Sequence, residues 1–567
     1  MVRANDYFYT VGNLAIRKRD INKAGETVFD LCIIGGGATG AGCALDAAAR
    51  GYKVLLIEKK DFGAATSGKS TKLIHGGVRY LEQAVKKLSL EQFRMVRKAL
   101  KERKTLLKIA PHITRPLQLI TPCRTWIEGV YYYIGLKLYD WISGRTNIGG
   151  SELLGKKKAL ERIPTLKKDH LFSAVLYYDG QLDDLRYNLA LVQTAQKYGA
   201  VCFNHMQALR FEKNEKGKLN SVWLKDALSG NEWKATATVF INATGPFADA
   251  IRQMANQALR PRIRVSRGVH ILLPKHVMNS HSALLIPQTR DGRVLFAIPY
   301  QKHLLVGTTD DETSLTENEF GPTSAEVYYL LEYINEYLDV HAQPSQVLAG
   351  FGGLRPLVMA ESGNTKDLVR DHEVETDGAS GLISILGGKW TTYRLMAKDT
   401  IDTAEKTLGK QAPCTTDQII LVGSKTFDHT TAIQLQKVSG WDHEVVKHLV
   451  SKYGDQSLLI AEKLNANSAL KDRLLPGMPY TLAELDYVLE NEMAYTIKDV
   501  LARRWGVQLA DWKQTRELIP VVGGLMAEKF GWRLVEKDKY IVDYTTEIMQ
   551  MEENIGKREA KSQEVRI

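Results

Sequence analysis

Leu31-Cys32-Ile33-Ile34-Gly35-Gly36-Gly37-Ala38-Thr39-Gly40, with Val54-Leu55-Leu56-Ile57-Glu58 further on, organises the first part of the chain. The apolar run Leu31 to Ile34 predicts a parallel strand buried on both faces. Gly35, Gly37 and Gly40 follow at Gly-x-Gly-x-x-Gly spacing, Gly42 to Arg50 reads as a helix, and Val54 to Ile57 as a second strand. Gly35 makes the tight turn, Gly37 lets the backbone approach a pyrophosphate, and Gly40 lets helix and strand pack closely. The helix start supplies N–H groups and a positive dipole end for phosphates. Glu58 is placed to accept hydrogen bonds from an adenosine ribose. The glycines alone would fit a turn in any α/β protein. Strand, glycines, helix, strand and terminal acid in that order predict a dinucleotide-binding unit.

The 567 residues predict two or three domains. Lys and Arg outnumber Asp and Glu by 76 to 65, a net charge of +11 that favours an acidic partner. An anionic substrate, an anionic membrane surface and nucleic acid all satisfy that. No basic stripe with stacking aromatics and no nucleic-acid-binding module accompanies the charge, so nucleic acid is not an expected partner. Cys32, Cys43, Cys123, Cys202 and Cys414 lack metal-type spacing. They read as core thiols of a reducing compartment, and no metal is expected. The polar residues 1–27 show no signal-peptide core, and Trp126 to Ile142 carries Glu128, Lys137 and Asp140 in too short a span to cross a bilayer. The expectation is a soluble or peripheral protein.

Three further stretches extend the nucleotide reading. Thr66 and Ser67 begin a loop of small hydroxyl residues and paired glycines suited to wrap a diphosphate and a flavin edge. A buried strand ending in Ala243-Thr244-Gly245 brings small residues against the dinucleotide, which favours FAD over NAD. Gly388, Lys389 and Thr391 lie where a glycine pair opens a late helix, a second place for N–H groups to meet an anion.

Gly35 to Gly51, Ala65-Thr66-Ser67, and Lys72-Leu73-Ile74-His75-Gly76-Gly77-Val78-Arg79-Tyr80-Leu81-Glu82 together resemble the FAD-dependent glycerol-3-phosphate dehydrogenases. Asp486 to Trp505 resembles their helical C-terminal domain, with its Glu…Asp-x-Leu-x-Arg-Arg signature. The implied fold class is α/β, an FAD-binding Rossmann-like domain interleaved with an antiparallel β-rich substrate domain, plus a helical C-terminal domain. Expected boundaries are 28–115, 171–255 and 350–408 for the FAD-binding segments, 116–170 for a substrate or cap segment, 256–349 for the β-rich domain, and 409–567 for the helical domain and tail. Val269, Trp390, the leader and the tail depart from the family's pattern.

The implied reaction is oxidation of sn-glycerol 3-phosphate to dihydroxyacetone phosphate, with hydride passing to FAD and electrons to a membrane quinone. Arg79, Arg355, Arg370 and Lys389 lie in loops after strands or glycine turns and match substrate-contacting positions of the family, as do Tyr80 and His270. The phosphate is expected mainly at Arg79, Tyr80 and Arg370. Arg355 and Lys389 are expected to stabilise the developing alkoxide and the charge of reduced flavin. His270 is the expected base, because an unperturbed imidazole titrates near neutrality. His75, expected against the isoalloxazine, is the rival base.

Lys86 to Lys108 reads as a basic amphipathic helix and residues 125–142 as an aromatic segment, each compatible with an ordinary solvated or core role. Together they suggest peripheral docking of a cytoplasmic protein on the inner face of an anionic membrane. A homodimer is left open. An oxygen-reducing glycerol-3-phosphate oxidase and an amino-acid oxidase of the same fold are the competing activities, the latter needing one Arg for a carboxylate rather than several cations for a dianion.

Overall fold

The computed structural model describes residues 14–77, 90–169, 171–287, 289–359 and 372–564. Val28–Ile34 lies between Val54–Ile57 and Glu232–Asn242, parallel to both, in register Leu31 to Val54 and Leu31 to Val239. Val201–Phe203 extends the sheet in parallel on one side. Ile383–Gly387, and antiparallel His372–Thr376, extend it on the other. The hairpin of Met206–Lys213 and Leu219–Asp226 completes this eight-stranded sheet. One face packs on the helices Ala38–Ala49, Asp184–Lys197 and Tyr393–Leu408. The hairpin and the helix Ala248–Ala255 cover the other. Burial on both faces is why these strands read as continuous apolar runs.

A second, ten-stranded sheet is built around Ile263–Pro274, which pairs antiparallel with His303–Gly307, Asp311–Thr313 and Ala349–Val358. Thr114–Cys123 and Ser173–Leu182 belong to it too, paired antiparallel over their whole lengths. Two sequence expectations therefore shift. Residues 173–182, placed with the FAD-binding segments, and residues 350–357, expected to return to them, are strands of the second sheet. Apolar periodicity predicts a strand but does not encode its partner.

One hydrophobic core continues from the second sheet into the C-terminal helices, which run from Thr431–Ser439 to Leu534–Glu564 around the buried Trp505 and Trp512. The leader, read as polar and without period, contains a docked helix, Leu14–Gly25. Its Arg17 is buried and donates to Asp226 Oδ1 at 2.9 Å and to the Asn204 carbonyl at 2.5 Å. The expected basic helix is Leu90–Ile109; its predicted start at Lys86 lies outside the described residues.

Candidate cofactor and substrate site

The carboxyl ends of the parallel strands open on a cavity of about 360 Å³ bordered by both sheets, as open α/β sheets place their ligand sites. Gly35 and Gly37 line it, then the start of the helix Ala38–Ala49, whose N-cap Gly37 has no side chain to close the end. Gly35 sits at φ +109°, and a Cβ there would stand 2.6 Å from the Ala243 carbonyl oxygen. Gly40 is buried behind the wall, where a Cβ would lie 1.8 Å from the Gly35 carbonyl oxygen. Glu58 lines the cavity at the end of the second strand. Its Oε2 accepts from the Gly36 amide at 2.7 Å and its Oε1 from the Lys60 amide at 2.9 Å. Burial raises this carboxyl above its ordinary value, and the two amides hold the rise back.

Thr66, Ser67, Ala243, Thr244, Gly245, Gly388 and Lys389 also border the cavity. The loop carrying Thr66 and Ser67 is pinned from three directions. Thr66 Oγ1 donates to the Leu354 carbonyl at 2.6 Å, Ser67 Oγ accepts from the Ala38 amide at 2.9 Å, and Trp390 Nε1 donates to the Ser67 carbonyl at 2.8 Å. Thr391 is buried and does not line the cavity, nor does His75, exposed on the loop after Leu73–Ile74 and within electrostatic reach of Asp179 and Lys389. An open helix N-terminus, a backbone stripped of side chains and an acid at the ribose position fit a dinucleotide such as FAD.

The proposed substrate residues divide into groups. Lys389 lies on the cavity wall. Arg355 and His270 sit on the second sheet, brought near each other and Lys72 but not onto that wall. Leu354 and Pro356 line the cavity, so Arg355 between them takes the other face of its strand. Arg79, Tyr80 and Arg370 lie outside the described residues.

His270 is buried, its ring stacked on Phe351 at 4.9 Å, with Nε2 sharing a 3.0 Å hydrogen bond with Thr71 Oγ1. Room for the ring comes from Gly307 on the neighbouring strand, where a Cβ would meet it at 2.1 Å. Burial, then Arg355 and Lys72, hold His270 well below the ordinary imidazole value. The environment therefore favours the uncharged ring over the near-neutral titration expected from its residue type. Arg355 donates to Thr308 Oγ1 and the Thr309 carbonyl, both at 3.0 Å, and to Asp310 Oδ1 at 3.1 Å. With a third of its side chain exposed, it is held in place yet open to a ligand.

Sequence reasoning did not single out Lys69, Lys72, Thr71 or Thr308. Lys72 is fully buried, paired with Asp184 and 5.1 Å from the Phe351 ring centre. Lys69 lines the cavity, 2.9 Å from Glu319, and burial draws it down to about 8. Two lysines in a loop otherwise made of small residues were the available signal.

The FAD dependent oxidoreductase family matches residues 30–394, and the C-terminal domain of alpha-glycerophosphate oxidase matches residues 414–537. A probable mitochondrial glycerol-3-phosphate dehydrogenase of Caenorhabditis elegans is 41% identical over 537 residues, covering 93% of this chain and 74% of that protein. The mitochondrial glycerol-3-phosphate dehydrogenase of Homo sapiens is 41% identical over 526 residues, 90% of this chain and 72% of that one. Among solved structures, the glycerol-3-phosphate dehydrogenase of Bacillus halodurans complexed with FAD superposes with a TM-score of 0.78 at 29% identity, covering 94% of this chain and 97% of that one.

Proposed function

Since the chain belongs to the FAD-dependent glycerol-3-phosphate dehydrogenase family, we propose that it oxidises sn-glycerol 3-phosphate to dihydroxyacetone phosphate and that a membrane quinone takes the electrons. The observation that carries the reading is a cavity bordered by both sheets. Lys389 reaches it from the first sheet, and Arg355 stands on a second-sheet strand whose neighbouring residues form its wall.

Gly35, Gly37, Glu58, Ser67 and the 243–245 turn would hold FAD, which when bound would supply a two-electron acceptor for an alcohol C–H bond. A phosphate ester dianion needs several fixed cations, and Arg serves best where two oxygens must be held at once. Arg355 and Lys389 are assigned the developing alkoxide and the charge of reduced flavin. Arg79 and Arg370 are assigned the phosphate with Tyr80. Oxidation at C2 removes a hydride and the hydroxyl proton. His270 takes that proton as a neutral imidazole, its ring oriented by Thr71 and Phe351.

Adding glycerol 3-phosphate without oxygen to the yellow protein should bleach its visible absorption, and a soluble quinone should restore the colour. A yellow protein that does not bleach would overturn the substrate assignment. Hydrogen peroxide as the main product in air would overturn the quinone.

Among the described residues no helix is long and apolar enough to cross a membrane. The helix Trp126–Ser143 nevertheless turns Trp126, Ile127, Val130, Ile134 and Trp141 outward, the last 74% exposed. It packs through Tyr139 and Ile142 on Val96 and Leu100 of the basic helix. That helix exposes Arg94, Arg97, Lys98, Lys101 and Lys108. Apolar surface beside clustered cations supports peripheral attachment to an anionic lipid surface. Ile134→Asp combined with Trp141→Asp should abolish flotation with phosphatidylglycerol vesicles while leaving flavin content intact. Undiminished flotation would remove this face from the account.

A further inference from the structure

The signature Asp499-Val500-Leu501-Ala502-Arg503-Arg504 contributes nothing to the reaction as described, yet its three charged residues are all buried. They occupy a π-helical turn, a form that often marks functional positions. Each reaches a segment at the rim of the cofactor cavity. Asp499 Oδ2 pairs with His205 Nε2 at 2.9 Å, and the neighbouring Met206 amide donates to the Glu58 carbonyl at 2.7 Å. Arg504 pairs with Asp61, three residues after Glu58, its Nη2 donating to Oδ1 at 3.0 Å. Arg503 pairs with Glu319 across 184 residues of sequence.

Glu319 is the point of contact with the cavity. Thr316 to Phe320, between the strand Asp311–Thr313 and the helix Ser324–Tyr337, lines the cavity as an irregular segment. It is latched at both ends. Glu317 pairs with Lys59 at 2.6 Å, beside Glu58. The Glu319 carboxylate, 11% exposed, accepts from Lys69 at 2.9 Å and meets Lys498 at 3.2 Å as well as Arg503. Phe320 completes the seam: its carbonyl accepts from the Gly352 amide at 2.9 Å, and its ring packs 4.2 Å from the Arg267 guanidinium. Three cations converge on this one enclosed carboxylate. Two of them come from the C-terminal domain and one from the cavity wall.

We propose that residues 316–320 form a strap retaining FAD in its cavity, and that Arg503 and Lys498 of the C-terminal domain are positioning residues that hold it shut through Glu319. The proposal rests on that cavity being the FAD site. Surface pairs such as Lys59–Glu317 are weak, whereas stripping the partner from a buried charge is strongly destabilising. The Glu319 latch therefore dominates.

The test is the rate at which diluted holoenzyme releases FAD, followed by the rise in free-flavin fluorescence. Glu319→Gln and Arg503→Gln should each release FAD at least about tenfold faster, as expected when a buried pair is broken. Changes to a coupled pair are not additive, so the double variant should be no faster than the worse single one. Glu317→Gln, on the exposed pair, should be faster by at most about threefold and should leave the fold intact. Lys529→Gln, which removes two ion pairs within the C-terminal domain, to Asp486 and Glu490, should match wild type. Unchanged release in Glu319→Gln and Glu317→Gln overturns the strap, as does a lowered thermal midpoint with an unchanged release rate. Wild-type protein that binds no FAD would instead overturn the cofactor assignment itself.

Discussion

Gly40→Ala should yield a colourless protein that no longer retains FAD. The added methyl would lie 1.8 Å from the Gly35 carbonyl oxygen and 3.4 Å from the Ala243 Cβ. The first of these cannot retreat: the Gly35 amide is tied to the Ile57 carbonyl at 2.8 Å, and its φ of +109° already uses a conformation reserved for glycine. The helix Ala38–Ala49 must therefore slide outward, withdrawing its N-terminus from the cavity. Overpacking costs about 1–3 kcal/mol even in adaptable cores, and this contact is backbone on backbone. FAD affinity should fall by about 100-fold or more, the upper end of that range, measured by titrating apoprotein with FAD. A yellow Gly40→Ala protein with wild-type flavin content would show that the helix start does not face the cofactor.

Arg355→Met should lose about 10³-fold in kcat/KM with flavin content unchanged, the scale for removing a preorganised group that stabilises developing negative charge. Thr308, the Thr309 carbonyl and Asp310 fix the guanidinium, and Gly268 on the paired strand makes room for it, since a Cβ there would stand 2.2 Å from Nη2. Arg355→Lys keeps the charge but not the planar fork, so it should recover only part of the loss. Activity within about tenfold of wild type in Arg355→Met would exclude the residue from the chemistry.

The dinucleotide unit was legible because its requirements are local. A buried strand, a tight turn and a helix start impose residue types within a few positions of one another, so Gly35, Gly37 and Glu58 could be named without a structure. Lys389 follows a strand as the glycine turn implied, but Arg355, expected in a loop, lies within the strand Ala349–Val358. Lys389 lies on the cavity wall, while Arg355 and His270 share the second sheet because their strands pair there, and strand alternation turns Arg355 away from the wall formed by Leu354 and Pro356. His270 shows the limit most plainly. Its residue type implies titration near neutrality; burial, with Arg355 and Lys72 nearby, draws it down.

Residue order alone determined the cofactor class, the existence of two strand systems and a helical end, and the chemistry its cations can serve. Tertiary structure alone decided which sheet received residues 173–182 and 349–358, which lysines became enclosed, and that Arg503 would meet Glu319. Hydrophobic and glycine patterns report constraints between neighbours in the chain, whereas a charge pair spanning 184 residues exists only once packing has closed the distance.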